Sequence, residues 1–244
     1  MLLLDGDIIA WRTGTTKYSN IEDYYRHCDI MIGRIKNSLS VFDRTIYLSG
    51  KTYPVFRVLL DPNYKANRKD LIKPKEVSLI EQYLKDCYNT VVIDHYEADD
   101  ALGWNQTEDT IICTLDKDLD MIPGKHYNFK TKNLYSITPQ QGLTFFYRQM
   151  LIGDRIDNVT GIYGIGPKKA EKILPDLLTE QEMFDIVYNL YNNPKQFVLN
   201  ACSLWILQEK GKTWAHRQNL TLPSQCKQEV DQILDYMTFL NLPT

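Results

Sequence analysis

The strongest constraint on the fold is an alternation of short apolar segments with segments of helical periodicity over the first two thirds of the chain. Apolar runs at residues 1–4, 90–93 and 110–115 have the length and composition of buried strands. Apolar residues recur at helical spacing over residues 21–42 and 76–87. This alternation is typical of an α/β domain with a mainly parallel sheet, and we predict that fold class.

Four further segments complete the predicted sheet. Residues 45–48 and 55–60 have strand-like composition, and residues 126–130 and 133–137 are spaced as the two arms of a hairpin. A helix is predicted to begin near Glu97, between two of the buried strands.

The character of the chain changes near residue 138. Thr138 followed by Pro139 is a typical helix start, with threonine as the N-cap and proline at the first helical position. Beyond this point the apolar spacing is helical and the breaks are centred on Gly or Pro. We therefore predict two domains, an α/β core at 1–138 and a mostly helical region at 139–244.

Composition excludes several classes of protein. The 244 residues carry 28 Lys and Arg against 31 Asp and Glu, so the net charge is −3 and a uniformly basic nucleic-acid binder is excluded. No apolar run approaches the roughly 18 residues of a membrane span, and no secretion signal is indicated, so we expect a cytoplasmic protein without membrane contact. Five dispersed cysteines without a CxxC motif predict reduced thiols, and four scattered histidines argue against zinc.

Acidic residues form four clusters, and three of them follow a predicted strand or open the helix after one. Their members are Asp5 and Asp7, then Glu97, Asp99 and Asp100, then Asp116 and Asp118, and finally Asp154 and Asp157. The carboxyl ends of parallel strands meet at one edge of a sheet, where sites usually lie. Converging carboxylates repel one another, and hard divalent cations relieve that repulsion. A pair of such ions about 3.5–4 Å apart can clamp an in-line phosphoryl displacement.

The geometry within the clusters allows alternatives. Asp116 and Asp118 point to one side if the chain is extended, and Asp154 and Asp157 share a face if it is helical. A helical start groups Glu97 with Asp100, whereas an extended start groups it with Asp99. Each cluster also has a structural interpretation, as a helix cap, as acids at a helix N-terminus or as an Asx-turn. Their joint occurrence favours a metal site.

A glycine-rich segment at 161–170 predicts a hairpin followed by a helix that opens at Pro167. Gly164 and Gly166 would let the backbone approach a phosphate, and N–H groups at the helix start would bind it without reading sequence. Lys168, Lys169 and Lys172 add positive charge. The pattern indicates a helix-hairpin-helix element, and the alternative is an ordinary helix–helix turn with a solvated lysine face.

A basic segment follows Asp61-Pro62. Residues 65–75 contain five basic side chains against one acid. Tyr64 directly precedes them, which suits stacking on a terminal base while Lys65 and Arg68 hold phosphates. The alternative is a solvated charged surface.

These motifs together resemble the 5′-nuclease (flap endonuclease) superfamily, and most of all the 5′→3′ exonucleases of podoviruses. The matching residues, in family order between residue 5 and about residue 175, are Asp5, Tyr64, Lys65, Asn67, Arg68, Glu97, Asp99, Asp100, Asp116, Asp118, Gly153, Asp154, Asp157, Asn158, Gly164 and Gly166. Two departures are that Asp7 has no counterpart in many members, which suggests a supporting role, and that Gln149 stands where several members have lysine.

The resemblance implies a PIN-like core with a helical arch at about 50–76, and a helix-hairpin-helix (helix-three-turn-helix) at about 150–175 that grips duplex DNA. It implies two Mg²⁺ or Mn²⁺ ions and, in the glycine segment, a potassium ion. The first divalent ion would be held by Asp5, Glu97, Asp99 and Asp100, and the second would be held or oriented by Asp116, Asp118, Asp154 and Asp157. Lys65 and Arg68 would act on the scissile and adjacent phosphates. Contacts to DNA would come from Tyr64, Lys65, Arg68, Lys69, Gly164, Gly166, Lys168 and Lys169.

The expected activity is a magnesium-dependent 5′→3′ exonuclease with flap and RNase H-like primer-removal activity. Its partner would be duplex DNA with a 5′ end, nick or flap, or an RNA–DNA hybrid, bound by a monomer in the cytoplasm of a phage-infected bacterium. The alternatives are a structure-specific flap endonuclease, a PIN-type ribonuclease toxin and a non-catalytic DNA-binding protein. The glycine segment argues against the toxin, and the intact carboxylates argue against the inert binder.

Overall fold

The computed structural model describes residues 1–52 and 54–242. The described chain divides into two compact units, one formed by 1–52 with 71–137 and the other by 54–70 with 138–242. The second unit resumes at Thr138, beside the predicted boundary. Residues 54–70, part of the segment predicted to form an arch, lie in the second unit.

The first unit is built on one six-stranded sheet with the order β3-β2-β1-β4-β5-β6. Its strands are β1 (Leu2–Asp5), β2 (Arg44–Ser49), β3 (Thr90–Ile93), β4 (Ile111–Thr114), β5 (Gly124–Asn128) and β6 (Asn133–Ile137). Every pairing is parallel except that of β5 with β6, which form the predicted hairpin. The predicted α/β class with a mainly parallel sheet is confirmed.

Helices numbered along the whole chain connect these strands. Those of the first unit are α1 (Gly6–Gly14), α2 (Ile21–Leu39), α4 (Lys75–Cys87), α5 (Ala98–Trp104) and a 3₁₀-helix at Lys117–Met121. Helix α2 begins where the Asn20 side chain accepts a hydrogen bond from the N–H of Asp23, and it ends at Ser40 in the left-handed conformation. Its buried face packs Cys28 and Ile32 into the core beside β1 and β2.

The second unit is mainly helical. It contains α3 (Phe56–Leu60), a 3₁₀-helix at Ala66–Arg68, α6 (Pro139–Ile152), the short pair β7 (Gly153–Asp154) and β8 (Val159–Thr160), α7 (Pro167–Ile173), α8 (Glu180–Tyr191), α9 (Pro194–Leu204), a 3₁₀-helix at Trp214–His216 and α10 (Ser224–Leu240). Helix α6 starts as the sequence predicts, with Thr138 and Gln141 forming a reciprocal capping box. Phe184, Phe197 and Trp214 pack against one another in its core.

The strand predicted at residues 55–60 is wrong, because this segment forms helix α3. A short apolar run does not distinguish a strand from a buried helical turn by periodicity. Tertiary contacts decide here. The buried Arg57 side chain donates hydrogen bonds to the carbonyl oxygens of Ser203 and Trp205, at 2.8 and 2.6 Å, and so anchors α3 to the end of α9.

Two further observations concern the whole described chain. All five cysteines are free thiols, as the sequence predicts, and four of them are buried. None of the described helices combines the length and the apolar character that crossing a bilayer requires.

Candidate active site

Asp5 occupies the centre of the carboxyl edge of the sheet, at the end of β1 between β2 and β4. Its Oδ1 accepts a hydrogen bond from the backbone N–H of Ile8, at 3.0 Å, and so caps helix α1. Its Oδ2 accepts a hydrogen bond from the hydroxyl of Thr114, at 2.6 Å. Only 1% of Asp5 is exposed, so the carboxylate is held in one place at the strand end.

The environment of Asp5 disfavours its negative charge. Burial, followed by the charge of Asp7, raises the pKa of Asp5 to about 7, and the charge of Asp116 adds to this. The hydrogen bonds from Ile8 and Thr114 oppose the rise without cancelling it. At neutral pH a positive charge nearby would therefore stabilise the ionised carboxylate of Asp5.

Asp116 lies on the neighbouring strand end and is linked to Asp5 through Thr114. The backbone N–H of Asp116 donates to the Thr114 hydroxyl oxygen at 3.0 Å, and its Oδ1 accepts from the N–H of Asp118 at 2.9 Å. Asp116 is thus the N-cap of the 3₁₀-helix at Lys117–Met121. The expectation of an extended chain with both carboxylates on one side is wrong, and the Asx-turn alternative is the one observed.

Helix α5 holds the second acidic cluster. The N–H of Glu97 donates to Oδ2 of Asp100 at 3.1 Å, and the Glu97 side chain accepts from the N–H of Asp100. This capping box selects the helical grouping of Glu97 with Asp100. Asp100 is fully buried. Asp99, which lies between Glu97 and Asp100 in the sequence, is half-buried.

Ser49, at the end of β2, connects two of these elements. Its hydroxyl donates to Oδ2 of Asp7 at 2.6 Å and accepts from the N–H of Ala98 at 2.9 Å. Ser49 therefore fixes the start of α5 relative to α1. Burial raises the pKa of Asp7, while the hydrogen bonds from Ser49 lower it. Ser49 and Thr114 are not among the predicted site residues, and their only signal in the sequence is a small hydroxyl residue at the last position of a buried strand.

The donor chemistry of this edge fits a hard divalent cation, since it offers carboxylate oxygens and a buried acid whose charge lacks compensation. Across residues 1–52 and 54–242, however, no three Asp, Glu, His or Cys side chains converge in a geometry that could hold a metal ion. The carboxylates are gathered at one edge, and the metal-ligand roles predicted for them stay predictions.

Asp5→Asn provides a test of the electrostatics. Because the pKa of Asp5 rises from 3.8 unfolded to about 7 folded, its contribution to stability is complete below pH 3.8 and is lost as the pH rises through 7. Asparagine has no such loss and can still cap α1. In EDTA at pH 8 we expect the free energy of unfolding of the variant to exceed that of the original by about 2–4 kcal/mol. This difference should shrink as the pH falls towards 5.

The measurement is urea unfolding at both pH values, with and without Mg²⁺. Added Mg²⁺ should stabilise the original chain at pH 8 more than it stabilises Asp5→Asn. A variant that is less stable than the original in EDTA at pH 8 would show that the buried charge is not unfavourable.

In the second unit, Asp157 contacts three residues of the basic segment that begins at Tyr64. Its carboxylate accepts hydrogen bonds from the Tyr64 hydroxyl at 2.8 Å and from Nη2 of Arg68 at 2.5 Å, and it lies 3.6 Å from the ammonium of Lys65. The carbonyl oxygen of Asp157 also accepts from the N–H of Lys65 at 2.9 Å, and that of Ile156 accepts from Nε of Arg68 at 3.0 Å. Side-chain and backbone contacts therefore join the basic segment at residues 64–68 to the fourth acidic cluster at residues 154–157.

Tyr64 differs from its predicted role. Only 4% of the residue is exposed, and its ring lies 5.0 Å from the ammonium of Lys65. A base could not stack on a ring that is already covered, so the predicted stacking is corrected to a packing role that orients Asp157 and Lys65. The side chains of Lys65 and Arg68 are 26% and 39% exposed and remain accessible to an anion.

Asp154 lies at the turn between β7 and β8. Its Oδ1 accepts from the N–H groups of Ile156 and Asp157, at 2.7 and 3.2 Å. The segment is an Asx-type turn, so the shared helical face expected for Asp154 and Asp157 is not observed. Gln149, in α6, is buried, and its Oε1 has no hydrogen-bond partner.

Helix α7 opens at Pro167, as predicted, after the N-cap Gly166, and a turn at residues 163–164 stands where the hairpin was predicted. Gly164 has φ +76°, a conformation that favours glycine, and no atom lies within 4 Å of where a Cβ would stand on either Gly164 or Gly166. Lys168 and Lys169 are exposed, as is Lys69 in the basic segment. These groups leave an open surface that a phosphate backbone could approach.

Comparison with known proteins gives consistent relatives, although no family model matches the chain. It is 24% identical over 220 residues to a 5′-3′ exonuclease of Mycoplasma pneumoniae, covering 75% of this chain and 74% of that protein. It is 26% identical over 152 residues to flap endonuclease Xni of Shewanella oneidensis, covering 55% and 58%. A DNA polymerase I of Caldicellulosiruptor bescii is 29% identical over 147 residues, which is 50% of this chain and 17% of the polymerase. The chain thus spans less than two thirds of the length of the last two relatives.

Solved structures show the same fold over nearly the whole chain. A bacteriophage T5 flap endonuclease, in a pseudo-enzyme-product complex with DNA and metal ions, has a TM-score of 0.66 and 17% identity, covering 97% of this chain and 98% of that one. A zinc-bound T5 5′-exonuclease also has a TM-score of 0.66, with 19% identity, covering 97% and 99%. The narrower likeness to podovirus exonucleases is not tested by these relatives and stays a prediction. Sequence relatives and solved structures together confirm the resemblance to the 5′-nuclease superfamily that the motifs predict.

Proposed function

We propose that the chain is a divalent-metal-dependent nuclease that hydrolyses phosphodiester bonds near the 5′ end of duplex DNA, acting as a 5′→3′ exonuclease. One observation carries the proposal most directly: the buried Asp5 is joined through the Thr114 hydroxyl to Asp116, and its raised pKa marks a site that favours a cation. The names of the sequence relatives, a 5′-3′ exonuclease and a flap endonuclease, support the same reaction class.

The residues proposed to hold metal in the first unit are Asp5, Glu97, Asp99, Asp100, Asp116 and Asp118. A bound divalent cation would supply a lowered pKa for an attacking water and neutralise charge on the leaving oxygen. The protein contributes orientation. Thr114 and the N–H of Ile8 hold Asp5, and Ser49 holds the start of α5, where Glu97 and Asp100 lie.

Lys65 and Arg68 are proposed to bind phosphate oxygens and stabilise charge that develops on the scissile group. Both are paired with Asp157, which holds two flexible cations in fixed positions before substrate arrives. A carboxylate with two cationic partners is already compensated, so Asp157 is better suited to positioning these cations than to ligating metal. Its proposed role, with Asp154, towards a second divalent ion stays a prediction.

The exposed surface around Gly164 and Gly166 is proposed to contact the backbone of duplex DNA, with Lys168 and Lys169 beside it. Gly166 has φ −108°, which valine also adopts, and its Cβ position is open, so Gly166→Val should fold normally. Blocking close approach of a phosphate should weaken duplex binding about tenfold and lower the slope of log K against log salt by about 1.

Gly33→Ala is the matched control, because Gly33 also has open space around its Cβ position but lies in α2. Fluorescence anisotropy with a labelled duplex at several salt concentrations measures both constants. An unchanged affinity and salt slope for Gly166→Val would remove this surface from the DNA interface.

We propose Mg²⁺ or Mn²⁺ as the divalent ions, with a potassium ion at the glycine segment. The proposed substrate is duplex DNA with a 5′ end, nick or flap, or an RNA–DNA hybrid in primer removal. The proposed enzyme acts as a monomer in the cytoplasm of a phage-infected bacterium.

The experiment that tests the reaction is a product ladder from 5′- and 3′-labelled duplex, nicked, flapped and RNA-primed substrates, with Mg²⁺ and with EDTA. Mononucleotides released from the 5′ label support an exonuclease. Oligonucleotides of flap length support the second candidate, a structure-specific flap endonuclease, which the Shewanella relative favours. Cleavage of RNA alone, or none with Mg²⁺, would overturn the proposal.

A further inference from the structure

A cleft of about 740 Å³ lies in the first unit, outside the residues assigned above. Its walls come from α1, α2, the turn between β5 and β6, and the loop that joins α1 to α2. Its volume falls within the roughly 300–1,000 Å³ of small-molecule sites in proteins.

The charge of this cleft has one sign. Four cationic side chains line it, and no Asp or Glu side chain does; the four are Arg12, Arg34, Lys130 and Lys132. Within the part of the chain that the structure describes, none of these four forms an ion pair, in contrast to Lys65 and Arg68. Uncompensated cations converging on a concave surface attract an anion strongly.

The turn that presents two of these cations is well ordered by its own sequence. Oδ1 of Asn128 accepts hydrogen bonds from the N–H groups of Lys130 and Thr131, at 3.1 and 3.0 Å. Lys132 follows with φ +59°. The hairpin therefore places both lysine residues at one rim of the cleft.

Aromatic rings line the same cleft. Trp11 is 45% exposed although tryptophan is usually covered. Tyr18 stacks on His27 with centroids 4.1 Å apart, and Phe129 stands in the hairpin turn. A nucleic-acid base stacks favourably on such a ring, irrespective of which base it is.

The cleft also adjoins the carboxylate edge. Ile8, whose N–H is capped by Asp5, and Leu115, which directly precedes Asp116, both line it. A ligand in the cleft would therefore lie beside the strand ends that carry the acidic residues.

We propose that this cleft binds a nucleotide unit, with its phosphate on the four cations and its base against the exposed ring of Trp11. The unit could come from a free nucleoside 5′-monophosphate or from an unpaired nucleotide of a DNA strand. The second source rests on the proposed nuclease function, whereas the first does not.

The test uses the full chain in EDTA, so that binding is measured without cleavage. Thymidine 5′-monophosphate and a single-stranded hexathymidylate are titrated separately while tryptophan fluorescence is recorded. We expect the tryptophan fluorescence to be quenched until the site is saturated. Trp11→Phe should remove most of this quenching, although calorimetry should still detect binding. Saturation by both ligands identifies the free nucleotide as sufficient, and saturation by the strand alone identifies the strand.

Lys130→Glu combined with Lys132→Glu should weaken binding at least about tenfold, as should Arg34→Glu on its own. All three positions are exposed, so the variants should fold. Lys85→Glu, which changes the charge by the same amount as Arg34→Glu but lies on α4 outside the cleft, should have little effect. Equal affinity of the cleft variants and Lys85→Glu, or no binding of either ligand, would overturn the proposal. Cleavage of duplex DNA with Mg²⁺, assayed on the same variants, reports separately on the nuclease function.

Discussion

Asp116→Asn is expected to lower the cleavage rate at least about 10³-fold while leaving duplex affinity in EDTA nearly unchanged. The oxygen of asparagine can still accept the hydrogen bond from the N–H of Asp118, so the 3₁₀-helix start should persist. What is lost is one negative charge next to Asp5, where the charges of Asp7 and Asp116 already act together with burial to raise the pKa. Cation binding at this edge should weaken in proportion.

Asp120→Asn is the matched control for this experiment. It lies in the same 3₁₀-helix and loses the same charge, but its Oδ1 accepts a hydrogen bond from the Tyr135 hydroxyl at 2.6 Å. Single-turnover rates with Mg²⁺, together with duplex anisotropy in EDTA, measure the two effects. A loss of DNA binding as large as the loss of rate would identify Asp116 as a structural acid.

Much of the fold is predictable because the local signals agree with the tertiary context. Strand β1 is an apolar run that ends at Asp5, α2 has a capped start and a single apolar stripe, and α6 begins with threonine and proline in the preferred order. Helix α3 fails this rule. Its five residues are too few to show helical periodicity, and the contacts of Arg57 that fix it are made with residues nearly 150 positions away in the sequence.

The candidate site is predictable in its residue types but not in its connections. The carboxylates at strand ends are visible in the sequence because each follows an apolar run. Thr114 and Ser49 could not be identified in this way, because the role of a hydroxyl residue at a strand end depends on a neighbouring element that places an acid beside it. Tyr64 illustrates the opposite case, because a motif cannot tell an exposed ring from one covered by its own neighbours.

Charge distribution explains how a chain of net charge −3 can be suited to DNA. Negative charge is concentrated at the sheet edge around Asp5, whereas Lys168 and Lys169 are exposed and the cleft beside α1 is lined by four Lys and Arg side chains and by no Asp or Glu. The salt dependence of DNA binding should follow these local patches and not the mean charge.

Lys65→Ala is expected to reduce turnover by about 10²–10³-fold with little change in duplex affinity. The ammonium of Lys65 is held by Asp157 and lies over the ring of Tyr64, so its position is set before substrate binds. In the proposed mechanism, a cation fixed in this way would stabilise charge that appears only in the transition state. One ammonium among many phosphate contacts contributes little to ground-state binding.

Folding should not account for the loss. Lys65 has φ +55°, and alanine meets the same steric cost there because both residues carry a Cβ. Lys65→Arg should recover part of the rate by restoring the charge, and Tyr64→Phe, which removes the hydroxyl donated to Asp157, should have a smaller effect than Lys65→Ala. Turnover at saturating substrate and thermal unfolding separate chemistry from stability. An unaltered rate for Lys65→Ala would remove this residue from the mechanism and leave Arg68, the other cation that Asp157 holds, as the phosphate ligand to test next.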